Sequence, residues 1–169
     1  MLPNSSEAVW LAIIRILTGL FWLAHGARKV MNPDFASSSG MVRMVGMAHH
    51  ATGSYQNFLT GYVVPNAALF AHLVAWGETL TGLSLTLGLL TRVGGLGGMF
   101  LTLNYMLMKG AFASIDTVAS IDAATFLLSA VNVAAPTGMR LGLDGLIFGR
   151  HIRASVANPP HWARRGSDS

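Results

Sequence analysis

The run from Asn66 to Arg92, NAALFAHLVAWGETLTGLSLTLGLLTR, is long enough to cross a bilayer and carries one carboxylate, Glu78, near its middle. About 20 apolar residues at a rise of about 1.5 Å cover the hydrocarbon core, where an acid is costly unless it faces protein, water or a partner. Glu78 must therefore face inward. At helical spacing Ala71, Ala75, Glu78, Gly82 and Leu85 share one stripe, which places small residues and the acid on the surface that packs against other helices. Two roles fit Glu78 there: a protonated acid bonded to a neighbour, or a proton or quinone-headgroup contact.

Composition supports a membrane setting. Of the 169 residues, 52% are hydrophobic and only 11% charged, and the mean hydropathy is +0.51. The absence of cysteine excludes disulfides, thiol catalysis, iron–sulfur clusters and cysteine-ligated zinc. The net charge of +4 comes from basic groups in loops and tail, where anionic headgroups would meet them. No basic face is interleaved with aromatics, so a nucleic-acid partner is not expected.

Ala8 to Met31 has no Lys or Arg before it and is interrupted by Arg15, which argues for a retained first helix rather than a signal peptide. Arg15, Gly19, Trp22, Gly26 and Lys29 recur at steps of four and three along one stripe, with His25 beside it and Arg28 and Lys29 closing the helix at an interface. From Asn32 to Pro65 the chain turns rich in Gly, Ser, Met and His, as expected of a long loop carrying a short surface helix. Met41, Met44, Met47 and Ala48 are expected on its apolar face; with His49 and His50 the methionines also offer a soft ligand set for copper. Tyr55, Phe58 and Tyr62 form an interfacial aromatic belt leading into the second helix.

A third span, Val93 to Met108, follows after a turn so short that it must run antiparallel to the second; Gly94, Gly95, Gly97 and Gly98 permit close approach, and Asn104 should bond across the bundle. The fourth, about Asp116 to Ala135, aligns Asp122, Thr125, Ser129, Asn132 and Pro136 on a polar face that must be buried or line a cavity. Leu141 to Phe148 is too short to cross again. The predicted fold is all-α: a membrane-embedded antiparallel four-helix bundle with an interfacial loop or helix between helices 1 and 2, residues 1–150 forming one transmembrane domain and 151–169 a basic cytoplasmic tail.

Counting depth from a shared face puts His25, Lys29, His72, Asn104, Tyr105 and Asp122 near one interface. Glu78 is expected deeper, with Arg15 as its counter-charge from the opposite side. Arg15, His25, Lys29, His72, Glu78, Asn104 and Asp122 are thus the candidate cofactor-binding set, a polar cavity suited to a quinone whose carbonyls need donors. No His-x-x-x-His or Glu-x-x-His pair lies within any helix, so no metal site is expected.

Arg15, Gly19, Gly26 and Lys29, the block WGETLTGLSLTLGLLTR from Trp76 to Arg92 and RLGLDGL from Arg140 to Leu146 carry a likeness. The chain resembles the DoxX/DoxD-like family over nearly its whole length. That resemblance implies a four-helix membrane protein, often a small subunit of a quinol oxidase or a thiosulfate:quinone oxidoreductase, with Arg15, Lys29, Glu78, Arg92 and Asp144 at recurrent polar positions. His25 and the Met/His-rich loop are not part of that motif.

The expected function is a small subunit of a membrane oxidoreductase contacting quinone, without a covalently bound cofactor and not catalytic alone. Its partners would be the lipid bilayer, other subunits and quinone. The alternative is a non-catalytic subunit that anchors or stabilises a larger complex. A transporter is disfavoured, because no inverted repeat or broken helix pair is evident. Six Lys and Arg outside the spans (Arg92, Arg140, Arg150, Arg153, Arg164, Arg165) against four (Arg28, Lys29, Arg43, Lys109) place both termini of this multi-pass protein on the cytoplasmic side of a bacterial-type inner membrane.

Overall fold

A computed structural model of the chain describes residues 5–48, 51, 53–110, 120–135, 137–139 and 141–147. Among the described residues all regular structure is helical. The order is α1 (Ser5–Val30), α2 (Pro33–Ala36), α3 (Ser39–Gly46), α4 (Gly53–Phe58), a π-helical turn (Leu59–Val63), α5 (Ala67–Leu87), α6 (Thr91–Met108) and α7 (Ile121–Ala134). Residues 143–147 add one helical turn. α1 carries Glu7 in its first turn and Arg28 and Lys29 in its last, each complementing the helix dipole.

α1 packs on α5, α5 on α6, α6 on α7, and α7 returns to α1. The α1–α5 seam brings backbones together. A Cβ at Gly26 would overlap the Thr79 backbone, one at Gly19 the Thr86 backbone, and one at Gly82 the Leu23 backbone, so the helices run antiparallel with side chains absent at each crossing. Both predicted stripes point inward: Trp22 and Arg15 on α1, and Ala71, Ala75, Glu78, Gly82 and Leu85 on α5, are buried. The polar face of α7 is buried too, at Asp122, Thr125, Ser129 and Asn132; Pro136 lies outside the described residues. Leu69, Leu73, Leu80, Leu83 and Leu87 of α5, by contrast, are exposed. Water-soluble helices bury the opposite set.

Hydropathy alone does not give four spans. Among the described residues only 6–30 are long and apolar enough on their own; Gly53–Val63 and Ala67–Leu87 pass together, bent by 108°, and Ile121–Ala134 is apolar but 14 residues long. Polar residues dilute the remaining helices: His72, Glu78 and the threonines in α5, and Arg92, Asn104 and the glycines in α6.

The segment expected as a loop with one surface helix is largely helical. Asn32 caps α2 by accepting from the Asp34 N–H, and Pro33 fits its first turn; Ser38, with φ of 81°, then redirects the chain into α3. Met41, Val45 and Ala48 pack with Phe35 against Ala67, Ala71 and Ala75 of α5. Met47, expected on that apolar face, is 65% exposed, because the i, i+4, i+7 set of α3 is 41, 45 and 48 and the helix ends at Gly46. Tyr55, Phe58 and Tyr62 do line up, with ring centroids 5.7 and 6.1 Å apart. His49, His50 and residues 151–169 lie outside the described residues.

A polar cavity at one end of the helix seam

The seam register decides which charges meet. With Gly26 against Thr79, Lys29 at the end of α1 stands level with Glu78, and its Nζ donates to Glu78 Oε1 at 2.6 Å. Lys29 Nζ also donates to the Tyr105 hydroxyl at 2.9 Å, and that hydroxyl donates to the same carboxylate oxygen. Glu78 is 1% exposed while Lys29 and Tyr105 are partly buried, so three groups from α1, α5 and α6 form one polar knot around a buried carboxylate. The ammonium also sits 5.1 Å from the Tyr105 ring centroid and 5.5 Å from that of Phe35, over aromatic faces that favour a cation.

Arg15 is not the partner of Glu78. Arg15 lies about 21 Å from Lys29 along a straight helix, at about 1.5 Å per residue, which takes it to the opposite end of the bundle. There its Nη1 donates to Thr137 O at 3.2 Å and its Nη2 to Leu141 O at 2.7 Å, with no exposed surface. Asp144 holds the adjoining turn. Its Oδ1 accepts the Leu90 N–H at 2.7 Å, and its Oδ2 accepts the Thr91 N–H at 2.9 Å and the Thr91 hydroxyl. This caps α6 from a segment far along the chain and secures Leu90 at a positive φ of 51°. Gly88, with φ of 66° and the Arg15 guanidinium against it, closes α5 where a side chain would be both strained and in collision.

A cavity of about 410 Å³ opens beside the knot, lined by Trp22, His25, Lys29, Glu78, Tyr105, Lys109 and Asp122 among others. Lys109 Nζ donates to Asp122 Oδ2 at 2.6 Å, so a second ion pair stands in its wall. His25 is exposed on its outer side, with Nδ1 2.9 Å from Phe21 O and its ring 4.3 Å from that of Phe21. The structure thus gathers His25, Lys29, Glu78 and Asp122 around one space.

Three of the candidates stand elsewhere. Arg15 is at the far end, and His72 is exposed on the side of α5 opposite the Glu78 stripe, six residues earlier and about two-thirds of a turn away. Asn104 accepts from the Tyr55 hydroxyl at 2.9 Å and donates to Phe100 O at 2.7 Å. Its partner is thus on the short α4 rather than on another long helix across the bundle, and it lines a separate apolar cavity of about 220 Å³ under α3 and α4 with Met41, Phe58 and Phe70. Burial pushes the Tyr55 phenol above its ordinary range, which keeps it a donor to Asn104. Tyr105 and Lys109 were absent from the candidate set. Tyr105 lies in the last turn of α6 and Lys109 caps it; the depth count already places Tyr105 beside Asn104, and Lys109 follows four residues on.

With this geometry in place, similarity to known proteins gives the lineage: the DoxX family model matches residues 10–110, and the chain belongs to the DoxX family of membrane proteins. No curated protein and no solved structure matches significantly. The matched stretch contains Lys29, Glu78, Tyr105 and Lys109; Asp122, on the α7 wall of the cavity, and Asp144 lie beyond it.

Proposed function

We propose that the protein is a multi-pass subunit of an inner-membrane oxidoreductase whose polar cavity contacts a quinone-class ring. The observation that carries this reading is the Lys29–Glu78–Tyr105 knot, buried among helices that bury polar residues and expose leucine, with an aromatic-walled cavity at its side. Ionisable groups at membrane depth facing a cavity mark sites of ligand or proton contact. Trp22, Phe21 and Tyr105 suit a planar ring, and the adjoining carboxylates suit exchange of its protons.

α1, α5, α6 and α7 would be the four membrane helices, with α2 to α4 and the π turn at one interface and both termini cytoplasmic. The chain has no cysteine to hold a cluster, so electrons would reach the ring from a partner subunit. Reporter fusions at the tail that are active only outside the cytoplasm would reverse the orientation. Purification from native membranes in mild detergent tests the function. Stoichiometric endogenous quinone, identified by chromatography after solvent extraction and lost in Glu78→Gln, is the expected result.

A second reading, an anchor for a larger complex, is favoured by the Arg15–Asp144 end, where the guanidinium and the carboxylate are bonded mainly to backbone carbonyls and amides. Partner subunits recovered without quinone would favour it.

A further inference from the structure

Beneath α3, α4 and the π turn lies the second cavity, of about 220 Å³, which the quinone reading does not use. No charged side chain lines it. Apart from Tyr55, Asn104 and Tyr105 its walls are apolar, with Met41, Leu59, Val63 and Phe70 among them. The three polar side chains are engaged: the Tyr55 hydroxyl donates to Asn104 Oδ1 at 2.9 Å, Asn104 Nδ2 donates to Phe100 O at 2.7 Å, and the Tyr105 hydroxyl lies in the knot with Lys29 and Glu78. Packed interiors leave few voids larger than a water molecule, and apolar cavities of about 150 Å³ stay dry and take up apolar ligands. The space therefore suits a hydrocarbon.

Its mouth shows where that hydrocarbon comes from. Leu73 of α5 and Phe100 of α6 line the cavity yet are 58% and 67% exposed, so it opens on the outer face between these two helices. The polar cavity has exposed His25 of α1 and Ile121 of α7 in its wall, on the opposite side of the ring of helices. Tyr105, Met44 and Met108 line both spaces and stand between them. Each space is thus reached from its own side.

We infer that the apolar cavity is a lipid site, which holds one acyl chain of a bilayer phospholipid entering sideways between α5 and α6. This rests on the placement of α5 and α6 in the membrane proposed above, not on the quinone. Leu73 and Phe100 then border the hydrocarbon core, whose chains are the apolar molecules at the mouth. The unbranched side chains of Met41, Met44 and Met108 adapt their shape to such a chain.

The test is native mass spectrometry of the full chain released from membranes in mild detergent. One phospholipid per chain is expected to survive the activation that strips the remaining lipid. Val74→Phe, which puts a ring into the cavity, is expected to lose it, and Phe100→Ala, at the exposed mouth, to retain less. His25→Ala, in the polar cavity, and Leu17→Phe, on the exposed face of α1, are expected to retain it in full. Because Phe100 is exposed, its variant carries the test even if Val74→Phe fails to fold. Absence of a retained phospholipid from the unaltered protein overturns the site, as does one that persists undiminished in folded Val74→Phe and Phe100→Ala. A retained quinone that both variants lose overturns the phospholipid and gives the cavity to a quinone tail. Reporter fusions and quinone extraction read the topology and the ring separately, so failure of the lipid site leaves both standing.

Discussion

The two ends of the α1–α5 seam each hold a cation from α1, fully buried at Arg15 and partly buried at Lys29, yet they are built differently. At the Arg15 end the guanidinium meets backbone carbonyls, and Asp144 meets backbone amides and one hydroxyl. At the Lys29 end every partner is a side chain; each end leaves one buried polar atom without a partner, Arg15 Nε at the first and Glu78 Oε2 at the second. The first arrangement fastens the turn between α5 and α6 to the segment that follows α7. The second can change partners without moving the backbone. A buried charge is thus no marker of chemistry by itself; what it is bonded to decides.

Breaking the Arg15 end should have the largest effect. Arg15→Met strands two carbonyl groups and removes the cation facing Asp144, and loss of one member of such a buried set costs about 3 to 5 kcal/mol. Monodisperse protein in fluorescence-detected size exclusion should fall sharply. Adding Glu78→Gln should not restore it; recovery in that double variant would mean the two ends are coupled after all.

Lys29→Met should cost less, about 2 to 3 kcal/mol, since Lys29 is partly exposed and the carboxylate keeps the Tyr105 hydroxyl as a donor. Here the double variant with Glu78→Gln should regain most of the loss in thermal melts. Strictly additive losses would show that Lys29 and Glu78 do not act as a pair. Lys109→Gln should be smallest. Its side chain is 53% exposed, and exposed pairs contribute up to about 1 kcal/mol, so a melting shift as large as that of Lys29→Met would place this pair in the buried knot instead.

Much of this was legible from residue spacing. The stripes through Gly19, Trp22 and Gly26, through Ala71, Ala75 and Glu78, and through Asp122, Thr125 and Ser129 follow from helical period and the cost of exposing polar groups to lipid. Partner choice was not legible. The register of α1 on α5 is set where Gly26 meets Thr79 and Gly19 meets Thr86, contacts between distant segments, and without that register a mid-helix Glu78 could be matched with either cation of α1. His72 lies six residues, about 9 Å, from Glu78 along α5 and faces outward, and counting toward a shared interface does not reveal that direction. Asp144 capping α6 is a contact between segments more than fifty residues apart, for which local sequence holds no signal.

The glycine seam has a further consequence for how the chain finds its alignment. Gly19 and Gly26 are seven residues apart, as are Thr79 and Thr86, which they touch. Slid by one heptad, the helices would set Gly26 against Thr86 or Gly19 against Thr79, so small-residue fit alone leaves neighbouring alignments nearly degenerate. In either shifted state Lys29 loses Glu78. The ion pair therefore acts as a key that singles out one setting of a repeating track, and a charge moved along α1 would be tolerated only with a matching move along α5.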